Sequence, residues 1–257
     1  MMNRVLFKPK NSNQVHWSAL RVNGVDARDF LHRMTTVNMR ELEVGKAAEG
    51  LLLTPQGKIQ AYFYLSCLRE GEYVLECDAG ANGFWLRNLK EKLEFYHFGE
   101  KIEFTVLIGE YEWRLGSGWD SGIGENEISP IGDGWIVRHS DSKFGQAWVS
   151  VYSRGKITRS EALEVSWSDL NDLRVENGTA WWGIEIQPDS NPLDLALVSA
   201  IADQKGCYPG QEVIEKIIAL GSPAKRLCLV VDEIGVKSLS VLSKTKAVVG
   251  GSILKVF

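Results

Sequence analysis

Residues 59–68 form a strand-favouring run rich in tyrosine, phenylalanine and leucine, and residues 73–77 form a second. Glu70-Gly71 lies between them, so the pair reads as a long antiparallel hairpin. Further strands are expected at 17–22, 51–53, 102–108, 135–139, 146–152, 224–231 and 248–256. Helical spacing marks 84–96 and 169–175, and Asp26 is placed to cap a helix running through Met34. Residues 116–134 are rich in Gly, Ser, Asp and Pro and read as loop with short strands. These elements follow no regular βαβ rhythm, which argues for an α+β fold rather than a doubly wound sheet.

The chain has 257 residues, ample for a core. Its formal net charge is -4, and no Lys/Arg block marks a nucleic-acid footprint. No apolar run reaches the ~18 residues of a membrane span. The first residues lack the apolar core and small-residue cleavage site of a signal peptide. Cys67, Cys77, Cys207 and Cys228 show no C-x-x-C spacing and no accompanying histidine pair, so no metal site is expected. Scattered thiols fit a reducing cytoplasm. Most of the nine tryptophans must be core, but aromatic walls also suit a flat heteroaromatic ligand.

Residues 203–212 read Asp-Gln-Lys-Gly-Cys-Tyr-Pro-Gly-Gln-Glu. Two glycines bracket Cys207, Pro209 biases Tyr208 away from helical geometry, and Val213, Ile214, Ile217 and Ile218 recur at helical spacing. Cys207 is therefore expected on a tight loop feeding a helix. Lys205 and the helix N-terminus would favour its thiolate. A glycine-rich turn around a small buried sulfur is the plainer alternative.

The stretch 205–212 also resembles the K-G-C-[FY]-x-G-Q-E signature of the YgfZ family. These proteins are related to the glycine-cleavage T-protein, a folate-dependent aminomethyltransferase, and are associated with the assembly or maintenance of iron–sulfur proteins. Three more patches agree in order: 21–31 with the downstream Thr35 or Thr36, 53–59 with its Pro55-Gln56-Gly57 turn, and Leu173-Arg174-Val175-Glu176-Asn177-Gly178. The resemblance implies an α+β, T-protein-like folate-binding fold with a ferredoxin-like insertion and a reduced C-terminal β-domain. It divides the chain into 1–80 plus 160–222 (folate-binding), 81–159 (insertion) and 223–257 (short β segment).

The resemblance places Glu176 on the edge of a pterin, where one carboxylate accepts two adjacent N–H groups. Without it, Glu176 reads as a helix-end carboxylate paired with Arg174. Arg174, Lys205 and Lys216 are candidate partners for a folate's glutamate tail, and Tyr208, Trp181 and Trp182 are candidate ring contacts. Cys207 is the candidate reactive thiol, with Gln211 and Glu212 organising its loop. A single thiolate cannot hold an iron–sulfur cluster, which usually takes four. T-proteins carry an acid after the strand that 73–77 resembles; Phe84 falls near that place, with Asp78 nearby but earlier.

Three functions follow from these residues. The first is a cytoplasmic accessory protein that binds tetrahydrofolate or a one-carbon derivative and supports iron–sulfur enzymes or their assembly factors. The second is a folate-dependent aminomethyl transferase, and the third is a non-catalytic interaction module.

Overall fold

In a computed structural model, the described residues are 5–7, 17–117, 122–140, 147–154, 163–165, 167–221, 223–243 and 251–257. They form three sheets. The first carries β2 (Trp17–Asn23), β3 (Ala47–Leu53), β4 (Ile59–Arg69), β5 (Glu72–Asp78) and β6 (Glu103–Val106), in the order β3-β4-β5-β2-β6. The expected hairpin is β4–β5, paired from Tyr64 opposite Glu76 to Arg69 opposite Glu72 with a register shift between Cys67 and Arg69. The second sheet carries β1 (Val5–Phe7), β7 (Glu112–Ser117), β8 (Ile128–Ile131), β9 (Gly134–His139), β10 (Trp148–Ser153) and β11 (Leu163–Val165), in the order β11-β1-β7-β10-β9-β8. The third pairs β12 (Lys225–Asp232) with β13 (Lys237–Ser243) and β14 (Gly251–Val256).

The first sheet is covered on both faces. Helices α1 (Ala27–Met34) and α2 (Phe84–Phe95) bury Phe30, Leu31, Leu86, Leu89 and Leu93 against Phe63, Tyr73, Leu75 and Cys77. On the opposite face, Ala19 and Val74 meet Trp113, Trp135, Val137, Trp148 and Tyr152 of the second sheet. A third cluster joins Leu51, Leu53, Tyr62 and Tyr64 to Leu227, Leu229 and Leu239 of the third sheet. Alternation along β5 explains the division: 73, 75 and 77 face the helices, and 74, 76 and 78 face the second sheet. Helix α3 (Trp167–Glu176) leads into the 179–186 loop, and α4 (Gln211–Ala219) follows the cysteine loop.

The structure revises several sequence expectations. Helix α2 and strand β6, assigned above to an 81–159 insertion, instead complete the first sheet, where β6 pairs with β2 and α2 packs into the first core. Asp26 occupies the N-cap position but makes no side-chain cap; its carboxylate accepts the Lys101 N–H at 2.7 Å. Strand β13 was not anticipated. Expected positions 141–146, 155–162, 166 and 244–250 lie outside the described residues. No helix among the described residues is long and apolar enough to cross a membrane.

Glu76 is a fully buried carboxyl between the two larger sheets, accepting the Trp135 indole N–H at 3.0 Å. Burial raises its pKa from 4.5 to about 8, so it is protonated at neutral pH. Because the folded value is raised, its stabilising effect is complete below about 4.5 and is lost as pH rises towards about 8. The urea midpoint of the wild type should therefore fall across that window, and the fall should shrink in Glu76→Gln. Parallel profiles for the two proteins would show that Glu76 does not keep its proton.

Candidate functional site

The candidate site is an aromatic slot where the first sheet, the second sheet and the segment after α3 converge. Its walls include Trp17 of β2, Tyr62 and Tyr64 of β4, Trp113 of β7, His139 of β9, and Trp181 and Trp182. Asp78, at the end of β5, supplies a carboxylate. Trp17 stacks on Trp113 with ring centroids 5.3 Å apart, and Trp181 tilts against Trp17 at 5.6 Å. His139 meets the Tyr64 ring edge-on at 4.3 Å and hydrogen-bonds Ser150 Oγ at 2.6 Å. The concavity measures about 480 Å³ when space open to solvent is included, but only about 30 Å³ is free for water-sized contents. That free space is about what one water needs.

The segment lining the slot is shaped by how α3 ends. Gly178 adopts φ 71°, its N–H bonds the Val175 carbonyl at 3.2 Å, and the Thr179 N–H bonds the Arg174 carbonyl at 2.8 Å. This pair of bonds is a Schellman motif, in which glycine takes the left-handed position without a Cβ penalty. The chain reverses there and carries Thr179–Trp182 into the slot. Arg174, 2% exposed, then braces the reversal: its guanidinium bonds the Thr179 carbonyl at 3.2 Å, Asn171 Oδ1 at 3.0 Å and Glu185 Oε2 at 2.8 Å. Glu185 Oε2 in turn accepts the Trp181 backbone N–H at 3.0 Å.

Asp78 is 5% exposed and anchors the slot's far side. One carboxylate oxygen accepts the Trp181 indole N–H at 3.2 Å and the other accepts the Gly80 N–H at 2.9 Å. Phe84 is 60% exposed at the start of α2 and does not line the slot. The acidic group at this end of β5 is Asp78.

The sequence-predicted residues divide into groups. Trp181 and Trp182 line the slot. Arg174 is engaged within the protein, and its ion partner is Glu185 rather than Glu176. Glu176 stands half-exposed on the last turn of α3, 2.7 Å from Lys237 of β13, and does not line the slot. Lys205, Cys207 and Tyr208 share a separate loop, and Lys216 is an exposed residue of α4. Trp17, Tyr62, Tyr64, Trp113 and His139 were not singled out from sequence. Four of them sit on expected strands, yet only the meeting of two sheets brings them together.

The cysteine loop has its own architecture. Gly210, with φ 84°, starts α4 against the Thr54–Gly57 turn; a Cβ there would lie 2.6 Å from the Thr54 carbonyl oxygen and 2.8 Å from Gly57 Cα. The second glycine of the loop and the Pro55-Gln56-Gly57 turn are therefore two halves of one backbone contact. Helix α1 stops at Met34, so the carbonyl of His32 has no further helical N–H; the Lys205 ammonium donates to it instead. Lys205 is 5% exposed, its nitrogen 5.2 Å from the Tyr208 ring centroid, and burial lowers its pKa to about 8. Gln211 reaches the Lys205 carbonyl at 3.5 Å and Glu215 at 2.6 Å, and Glu212 is exposed. Cys207 is exposed and does not line the slot.

No protein-family profile matches the chain. A chloroplastic protein of Arabidopsis thaliana named as a transferase is 23% identical over 243 residues, covering 83% of this chain and 54% of its own length. An aminomethyltransferase of Pelodictyon phaeoclathratiforme is 21% identical over 232 residues, covering 79% of this chain and 62% of its own length. The chain thus spans little more than half the length of these relatives. The glycine cleavage system aminomethyltransferase T of Bartonella henselae superposes with a TM-score of 0.70 at 20% identity, over 91% of this chain and 72% of its own. The fold is that of a glycine-cleavage T-protein.

Cys207 is the exposed one of the four cysteines, and burial raises the pKa of Cys67, Cys77 and Cys228. Iodoacetamide should add one label to the native protein, at Cys207, before any second. A second adduct forming at the same rate, read by intact mass and peptide mapping, would contradict this arrangement.

Proposed function

We propose that this chain binds a reduced folate, with the pteridine ring entering the aromatic slot and Asp78 accepting its N–H groups. The observation that carries this reading is a buried carboxylate set among tryptophan and tyrosine rings on a T-protein fold. Flat heteroaromatic rings gain from stacking on indoles. An ionised carboxylate accepts two adjacent N–H donors side by side. Folate supplies a one-carbon carrier; the chain supplies the walls, through Trp17, Trp113 and Trp181, and the orienting acceptor, through Asp78. The free space is too small for a pteridine, so at least one ring wall must swing outward on binding. Glu176 would serve this reading only if the Lys237 pair opened.

In the same proposal, Cys207 serves a separate, thiol-dependent task in support of iron–sulfur proteins. Its support is the exposed thiol on a loop held by the buried Lys205 and by Gly210. Aminomethyl transfer is the second reading, favoured by the presence of Asp78 in the slot. Both oxygens of Asp78 are already hydrogen-bonded by the protein, which suits an acceptor better than a proton-transferring group.

Calorimetry with tetrahydrofolate tests the binding. Asp78→Asn should weaken it roughly ten- to hundredfold, because one acceptor becomes a donor and leaves a buried N–H unpaired at ~1–3 kcal/mol. Glu176→Gln should leave it nearly unchanged. The reverse pattern would restore the role that the YgfZ resemblance gives Glu176, and no binding by the wild type would remove folate from the account. Folate-dependent ammonia release from an aminomethyl donor would establish the transferase reading in its place.

A further inference from the structure

A second cavity, of about 360 Å³, lies along α1 and is lined by Asp26, Asp29, His32, Arg33, Arg40 and Glu100. It shares no lining residue with the aromatic slot. Two of its charges are already neutralised, since Arg33 pairs with Glu100 at 2.7 Å. The Asp26 carboxylate is occupied by the Lys101 N–H. Three groups remain. Asp29 and Arg40 are exposed, and neither side chain makes a hydrogen bond or ion pair with the described residues. His32 is 6% exposed, and neither ring nitrogen has a hydrogen-bond partner.

An unsatisfied buried polar side chain carries a desolvation cost that a ligand can relieve. Burial, with help from Lys205 and Arg40, lowers the pKa of His32 and favours the neutral ring. A neutral imidazole offers one N–H donor and one acceptor nitrogen. Gly206 stands over this ring: a Cβ there would lie 3.5 Å from His32 Nε2, so any larger side chain would roof it. The glycine that precedes Cys207 thus keeps any side chain at position 206 off the buried imidazole.

A simple anion fits this lining poorly, because Asp29 would repel it, and a simple cation meets the guanidinium of Arg40. A molecule with both charges on adjacent carbons satisfies both. We propose that this cavity binds the zwitterionic end of a free α-amino acid, its carboxylate on Arg40 and the His32 N–H and its ammonium on Asp29. The cavity falls within the ~300–1,000 Å³ range of small-molecule sites. The site lies directly beneath the Lys205-Gly206-Cys207 loop, so an occupant carrying its own functional group sits beside the exposed thiol's loop. The proposal is independent of folate binding in the slot.

The test is a titration of protein labelled with ¹³C-histidine, following the His32 ring signals assigned with His32→Gln. L-serine should shift them saturably, and acetate or methylamine alone should bind about tenfold or more weakly, since each lacks one charge. Asp29→Asn and Arg40→Gln, both at exposed positions, should each weaken L-serine by about tenfold. Cys207→Ser should leave its affinity unchanged. Absence of a saturable shift, an equal response to acetate, or indifference to both charge variants would each overturn the proposal.

Discussion

The slot depends on one buried ion pair. Arg174 and Glu185 meet at 2.8 Å with their side chains 3% and 8% exposed. Removing one partner of such a pair costs ~3–5 kcal/mol, because the other charge is left uncompensated. Here the pair also fixes geometry. Arg174 holds the Thr179 carbonyl and Glu185 holds the Trp181 N–H, so the segment crossing the slot is tied at both ends to a single charge pair. The Trp181 indole then reaches Asp78 on a strand of the first sheet, 103 residues earlier in the chain. The slot is a cross-link between three layers, with the Trp181 ring positioned by its hydrogen bond to Asp78 and by its contact with Trp17.

The cysteine loop depends on different contacts. Lys205 closes the open end of α1, and Gly210 touches the Thr54–Gly57 turn. Thr36 strengthens the same region: its hydroxyl accepts the Leu51 N–H at 2.8 Å and donates to the Ala200 carbonyl. Motif residues far apart in sequence therefore meet as a mechanical unit that presents Cys207 to solvent. Two regions of different character result: an aromatic slot between the first and second sheets, and a polar, thiol-bearing surface beside α1.

Much of this architecture was legible in the chain. The β4–β5 hairpin, α1 and α2 were readable because long periodic runs report burial directly. The resemblance to T-proteins anticipated the fold, and two of its motif glycines, Gly57 and Gly210, meet in one backbone contact. The site was less legible. Arg174 read as a candidate for a ligand's charge, yet it is spent internally, because nothing in Leu-Arg-Val-Glu-Asn-Gly reveals Glu185 eight positions beyond Asn177. Trp17, Tyr62, Tyr64 and Trp113 carry no motif, and all four are buried or half-buried. Only the meeting of the sheets makes them walls. Asp78 entered only through the comparison with T-proteins, as an acid lying just before the place where Phe84 falls.

The central claim is that the slot opens around a flat ligand held by Asp78. The most direct measurement is the indole N–H signal of Trp181, followed by ¹⁵N NMR in ¹⁵N-tryptophan-labelled protein as tetrahydrofolate is added. The account predicts a saturable shift of that signal, with the Trp17 and Trp113 indoles moving at the same ligand concentration, as the carboxylate shares its lone pairs with the ligand and the rings part. Unmoved Trp181, Trp17 and Trp113 signals at folate concentrations that saturate binding elsewhere would contradict it.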